Sequence, residues 1–320
     1  MTVGSKQERP RARRKDTEML LLDAELLEQI ESWFWDQDFI RGIIVPLCHI
    51  GTGSTVLDVG CGTGAFGRQL SRYLGPEGRV TGIDTDEDAI HRGQEFNRTR
   101  GYSNMELLAL DARDLTTTMP QRRFDVVVEA GVLNCIPDNG DMNAALQQMT
   151  GLVRPGGYFC SLGMEYKAFV REAFDEFEAD HNAWWAATYR GAGKLKGVDT
   201  RVEVRVPNLL YEYGMDDIKV KLYMPPIRFP PYSNQDIELR RRDCNKYDVT
   251  HEDHKKLRPM LAAGGLSDGE IDRIAGHLVK YWQMRVDRSR ANQPPPLYTQ
   301  VFPVTIARKP PAGPAPQGAA

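Results

Sequence analysis

Several residue types that would mark a protein class are scarce or absent in this chain. Cysteine is one: there are five in 320 residues (Cys48, Cys61, Cys135, Cys160, Cys244), widely spaced and never in a C-x-x-C pair. A disulfide framework or zinc cluster is therefore not expected, and a reducing cytoplasm suits the pattern. Long apolar runs are missing too. None approaches the roughly 20 residues that span a bilayer, and the charged start "MTVGSKQERPRARRKDTE" lacks the apolar stretch of a secretory signal. Nor does one sign of charge dominate: 41 Lys and Arg face 44 Asp and Glu, a net charge of -3. That balance gives no general pull toward nucleic acid or an anionic membrane. The expectation is a cytoplasmic protein with no membrane or nucleic-acid partner and no metal, while a homodimer remains open.

What is there suits a globular fold. Hydrophobic residues make up 41% and charged residues 27%, ordinary values for a chain long enough to form one large domain with a cap. Residues 1–17 are polar and basic, and residues 309–320, "KPPAGPAPQGAA", are rich in Pro, Ala and Gly. Both ends read as disordered tails. Residues 18–54 carry apolar positions at helical spacing and read as an N-terminal helical cap segment.

A strand–helix alternation follows. "TVLDV", "RVTGI", "MELLAL", "FDVVVEA" and "YFCSLG" read as strands, separated by helical stretches such as "GAFGRQLSRYL" and "DMNAALQQMTGLV". Strands without strict polar alternation, separated by helices, imply a parallel sheet covered on both faces, that is, a doubly wound α/β core. The core is expected over 55–224, with a helical insertion at about 164–200 that includes residues 166–190. "RVEVRV" alternates like a strand, and "NLLYEYG" and "DIKVKLYM" read as a helix and a strand. Residues 225–296 read as a helical substrate cap, whose last helix opens with a capping box at Ser267 and Glu270. "LYTQVFPVTIAR" within 297–308 reads as a last core strand.

The chemistry is concentrated in "VLDVGCGTGAFGRQL", residues 56–70. Gly62, Gly64 and Gly67 fit the G-x-G-x-x-G of a dinucleotide site, whereas Asp58, Gly60, Gly62 and Gly64 fit the D-x-G-x-G-x-G of a nucleoside–amino acid site. A carboxylate ahead of the turn repels a pyrophosphate but attracts an ammonium or sulfonium, so Asp58 favours the second ligand. Asp84 ends the second strand, where it can accept from ribose hydroxyls, and Asp111 ends the third, where it can accept from an adenine amine.

These stretches, with "VTGIDTDEDAI", "LALDARDL", "FDVVVEAGVLNCIPD" and "LVRPGGYF" in this order, resemble a class I S-adenosylmethionine (SAM)-dependent methyltransferase over roughly residues 55–163. The resemblance implies a Rossmann-like seven-stranded sheet, with "DIKVKLYM" and "VFPVTIAR" as the final hairpin and some seventy residues inserted between them. It also implies that Asp58, Gly60, Gly62 and Gly64 line the methionine end of SAM, that Asp84 holds the ribose, and that Asp111 with Ala112 holds the adenine edge. Glu129, Ala130 and Gly131 would pass beside the methyl-bearing sulfur.

Methyl transfer from a sulfonium mainly requires alignment and exclusion of water, with a base only where the acceptor must lose a proton. Glu129 is the first candidate for that role, with backbone or ligand hydrogen bonding as its structural alternative. Glu165 and Tyr166 follow the fifth strand, and His181 stands beside Trp184 and Trp185 in a segment placed to cover the site. "HEDH", His251 to His254, has two histidines at i,i+3 but no third metal ligand. Arg228 and the run Arg240–Arg242 raise an acidic acceptor as an alternative, although a solvated helix face is the plainer reading. The expected function is methyl transfer to a small-molecule acceptor. A protein or RNA acceptor, NAD-dependent oxidoreduction, and a SAM-binding regulator without turnover are the alternatives.

Overall fold

The computed structural model of the chain describes residues 39–163, 169–171, 175–224, 230–294 and 298–312. Both tails (apart from residues 309–312), residues 18–38 of the helical segment expected over 18–54, Glu165, Tyr166 and Arg228 lie outside the described residues. The strands are β1 (Thr55–Val59), β2 (Arg79–Asp84), β3 (Met105–Ala109), β4 (Phe124–Ala130), β5 (Val153–Leu162), β6 (Phe169–Arg171), β7 (Asp216–Tyr223), β8 (Tyr298–Gln300) and β9 (Phe302–Arg308). Seven of them form one sheet in the order β3-β2-β1-β4-β5-β9-β7, and β6 with β8 forms a separate pair. β1 to β5 pair in parallel, while β9 runs antiparallel to both β5 and β7.

Strand residues alternate between two faces, and each face has its own core. Leu57, Val59, Ile83, Val127 and Phe159 pack on one face against α3 (Asp141–Leu152) and α5 (Val206–Glu212), through Met142, Leu146, Met149, Val206 and Leu210. Val56, Val80, Val126, Val128 and Cys160 pack on the other against Phe66 and Leu70 of α1 (Ala65–Ser71) and a π-helical turn at Ile40–Ile44. Burial of each such side chain contributes about 1.5–3 kcal/mol. α2 (Glu87–Arg100) starts at Asp86, whose side chain accepts from the N–H groups of Asp88 and Ala89, and ends at Gly101 in the left-handed conformation.

A third core joins α4 (Asp175–Lys196), α6 (Asn234–Asn245), α7 (Glu252–Ala263) and α8 (Asp268–Arg290) through Trp184, Tyr247, Leu261, Ile274, Leu278 and Trp282. Glycines let α4 and α7 cross closely. A Cβ on Gly191 would lie 1.8 Å from Met260 O, and one on Gly264 would lie 1.9 Å from Ala187 O. α8 begins with the capping box of Ser267 and Glu270.

Three local expectations fail. "RVEVRV" is not a strand but a 3-10 turn at Val202–Val204 running into α5. The apolar positions that meet the core are Val202, Val206 and Leu210, a four-residue spacing, while Val204 points to solvent. Two-residue alternation and helical spacing both fit that stretch, and the core decides. The final segment is two strands rather than one, because β8 pairs with β6 outside the main sheet. Part of the stretch expected to be helical, Phe169–Arg171, is that partner strand.

Candidate active site

The helices that follow β1 and β4 leave the sheet on opposite faces, so a crevice opens at the carboxyl ends of these two neighbouring strands. The turn after β1 is held from behind, where the N–H groups of Gly60 and Cys61 both donate to Ile83 O (2.8 and 2.9 Å). Gly60, Gly62 and Gly64 have φ of 73°, 52° and 85°, a region L-residues enter at a cost of about 1–2 kcal/mol each. Gly60 has a second reason to lack a side chain, since its Cβ would lie 2.1 Å from Val132 Cγ2. Gly67 serves packing instead: a Cβ there would meet Val80 Cγ1 and Met105 Cε at 2.9 Å, so α1 could not lie on the sheet.

Asp84 ties this turn to the end of β2. Its Oδ2 accepts from Gly62 N–H and its Oδ1 from Asp86 N–H, both at 2.9 Å. One backbone donor per oxygen leaves each with a further acceptor position, which matches the paired hydroxyls of a ribose. Asp111 is more fully engaged. Arg113 donates to Oδ1 from its backbone N–H (2.8 Å) and Nε (3.0 Å), and to Oδ2 from Nη2 (2.6 Å). Burial alone would raise the Asp111 carboxyl, but Arg113 more than offsets it and holds it below the usual carboxylate range. Ala112 beside it is buried.

Asp58 stands differently. Only 2% exposed, it lies on the face of β1 that packs against α1, and its Oδ2 has no hydrogen-bond partner among the described residues. Burial pushes its pKa up to about 7 against the restraining Gly67 N–H and the nearby Arg68 guanidinium. Its neighbours across the sheet are Gly82 and Val128. Glu129 follows Val128, so the two carboxyls point to opposite faces. Arg68, near the start of α1, is buried. Its Nη1 donates to Thr63 O (2.7 Å) and Asn97 Oδ1 (3.2 Å), bracing the glycine turn from below.

Glu129 is in register with Val59 on one side and Ser161 on the other. Its side chain is fully buried. Oε1 accepts from Ser161 Oγ and Oε2 from Val132 N–H (3.0 Å), with Leu133 N–H also directed at the carboxyl. Burial raises the Glu129 pKa to about 7 against these bonds. Ser161 Oγ also lies 3.2 Å from Glu203 Oε2. The sequence reading missed Ser161 and Glu203, because Glu203 sits in the stretch taken for a strand.

The loop after β4 is fastened to the end of α4. Asp138 N–H donates to Gly197 O (2.7 Å), Pro137 bridges to Val198, and Arg205 Nη1 reaches both Asp138 Oδ2 (2.9 Å) and Asp199 Oδ2 (2.6 Å). His181 lies buried on α4, where Trp185 Nε1 donates to its Nε2 at 3.1 Å. His251 accepts the Asp253 N–H as the cap of α7, whereas His254 is buried beside Trp184. The arginine run divides: Arg241 and Arg242 bond to Glu238 at the surface, but Arg240 is buried over the Tyr232 ring. The solvated-face reading therefore fails for Arg240, because its helix turns it into the interhelical core.

Comparison with known proteins agrees with this geometry. A family model described as "Methyltransferase domain" matches residues 50–206. A demethylmenaquinone methyltransferase of Geobacillus kaustophilus is 27% identical over 202 residues, covering 59% of this chain and 80% of that protein. One from Staphylococcus carnosus is 38% identical over 117 residues, or 37% of this chain and 46% of that protein. Among solved structures, the YcgJ protein of Bacillus subtilis superposes with a TM-score of 0.49 at 14% identity, over 85% of this chain and 98% of that one. With a methyltransferase domain matched across the glycine turn, the dinucleotide alternative falls.

Proposed function

The chain is a class I SAM-dependent methyltransferase, and on that premise we propose that its acceptor is a small organic molecule bound beyond the ends of β4 and β5. When bound, SAM supplies an electrophilic methyl group on a sulfonium. In this reading Gly60, Gly62 and Gly64 let backbone approach the methionine end, Asp84 holds the ribose hydroxyls, and Asp111 with Ala112 borders the adenine. Asp58 lies beneath the turn, where a bound cation would favour its ionised form, and Glu129 holds the loop that passes the sulfur. Glu165, Tyr166 and His181 stay as candidates for contacting the acceptor, with residues 225–296 as its cap. A cytoplasmic setting belongs to the same reading.

The observation that carries the small-molecule reading is the fastening of the loop after β4 to the end of α4, through Asp138, Gly197, Pro137 and Val198. A loop held in one shape beside the strand ends suits a small ligand better than a folded protein or an RNA. The net charge of -3 gives no electrostatic reason for an RNA partner. The curated relatives are named for demethylmenaquinone, itself a small molecule. The test uses methyl-labelled SAM with a panel of small phenols, amines and quinols, alongside peptides and RNA. Label in the small-molecule fraction supports the proposal, and label confined to peptide or RNA refutes it.

A further inference from the structure

Ser161 Oγ lies within hydrogen-bond reach of two carboxyl groups, Glu129 Oε1 and Glu203 Oε2. A serine hydroxyl has a single hydrogen to donate. If it goes to one carboxyl, the other approaches an oxygen lone pair and is held there only by carrying a proton of its own. Both glutamates are buried, and two ionised carboxylates that close in a dry site repel strongly. The arrangement is also built into the backbone. Glu203 Cγ, Cδ and Oε2 fill the space where a Cβ on Gly163 would stand, at 2.2–2.5 Å, so a side chain at 163 would expel Glu203.

We propose that Glu129, Ser161 and Glu203 share one proton as a single unit of net charge -1, and that Glu203 is a positioning residue acting through Ser161 on Glu129. The unit latches the Val202–Val204 turn to the ends of β4 and β5. Through Glu129 it also fixes the Val132 and Leu133 N–H groups in the loop after β4. Loss of the shared proton leaves two anions with one donor between them and drives the turn away from the strand ends. Other titratable groups near the unit are the thiols of Cys135 in the loop and Cys160 on β5, with Lys196 of α4 and Asp84 acting on Cys135. The proposal rests on the methyltransferase reading only where it concerns ligand affinity.

Two measurements on the full chain test it. In infrared difference spectra at pH 6, Asp58→Asn, which removes the other buried acid, should show a protonated-carboxyl band that disappears when Glu203→Gln or Glu129→Gln is added. Either amide donates permanently to Ser161 and removes the need for the proton. S-adenosylhomocysteine affinity, measured by calorimetry in the same Asp58→Asn background, should fall about tenfold between pH 6 and 8 and stay within about twofold once Glu203→Gln is added. Absence of the band at pH 6, its survival in either Gln variant, or parallel affinity profiles overturns the proposal. Failure of the wild type to bind S-adenosylhomocysteine at any pH would count against the site assignment instead, with the infrared result still deciding the shared proton.

Discussion

Replacing Asp58 by asparagine tests the buried charge beneath the glycine turn. Asp58 is almost sealed from solvent, one of its oxygens has no hydrogen-bond partner among the described residues, and its pKa is raised from 3.8 to about 7, chiefly by burial. The folded protein therefore holds this proton more tightly than the unfolded chain. The associated stability is fully present below pH 3.8 and is lost as pH rises to about 7. Between pH 5 and 7 the loss spans two pH units, or about 3 kcal/mol at roughly 1.4 kcal/mol per unit. The carboxamide of the variant has the same shape and does not titrate. In urea unfolding with linear extrapolation, Asp58→Asn should gain about 3 kcal/mol on the wild type between pH 5 and pH 8. Equal pH slopes for the two proteins would mean that Asp58 is ionised in the folded state throughout, and the account of its burial would be refuted.

Gly60→Ala should destabilise by about 2–5 kcal/mol, from left-handed strain plus overpacking against Val132. Adding Val132→Ala should recover the overpacking part alone, as read by thermal unfolding. Arg68→Met should cost about 2–3 kcal/mol and weaken S-adenosylhomocysteine binding in calorimetry, because Thr63 O and Asn97 lose a buried donor. Unchanged affinity would show that the turn does not need this brace. Glu129, whose pKa is also raised to about 7 by burial, has the same sign as Asp58, so Glu129→Gln should likewise flatten the fall of stability between pH 5 and 7.

Local signals carried much of this molecule. The first five strands were readable because short apolar runs between turn residues need no distant partner to be recognised. The glycine turn was readable because three positive-φ positions at fixed spacing leave few alternatives, and Asp84 because it ends a strand at a set offset from that turn. What was hidden depends on contacts across the chain. Ser161 becomes significant only when β5 pairs with β4 and sets it beside Glu129. Glu203 does so only when its segment turns rather than extends, and the core contacts of Val202 and Val206 decide that. Arg68 and Arg240 look like surface charges until their helices dock, since a helix start or an arginine run says nothing about what will cover it.

If the crevice at the ends of β1, β2 and β3 holds the nucleoside of SAM, titration calorimetry of Asp84→Asn against the wild type will show it. The wild type should bind S-adenosylhomocysteine and not NADH, and the variant should lose about 1.5–3 kcal/mol, or roughly ten- to a hundredfold in affinity. Equal affinity in the two proteins, or NADH binding by the wild type, would contradict it.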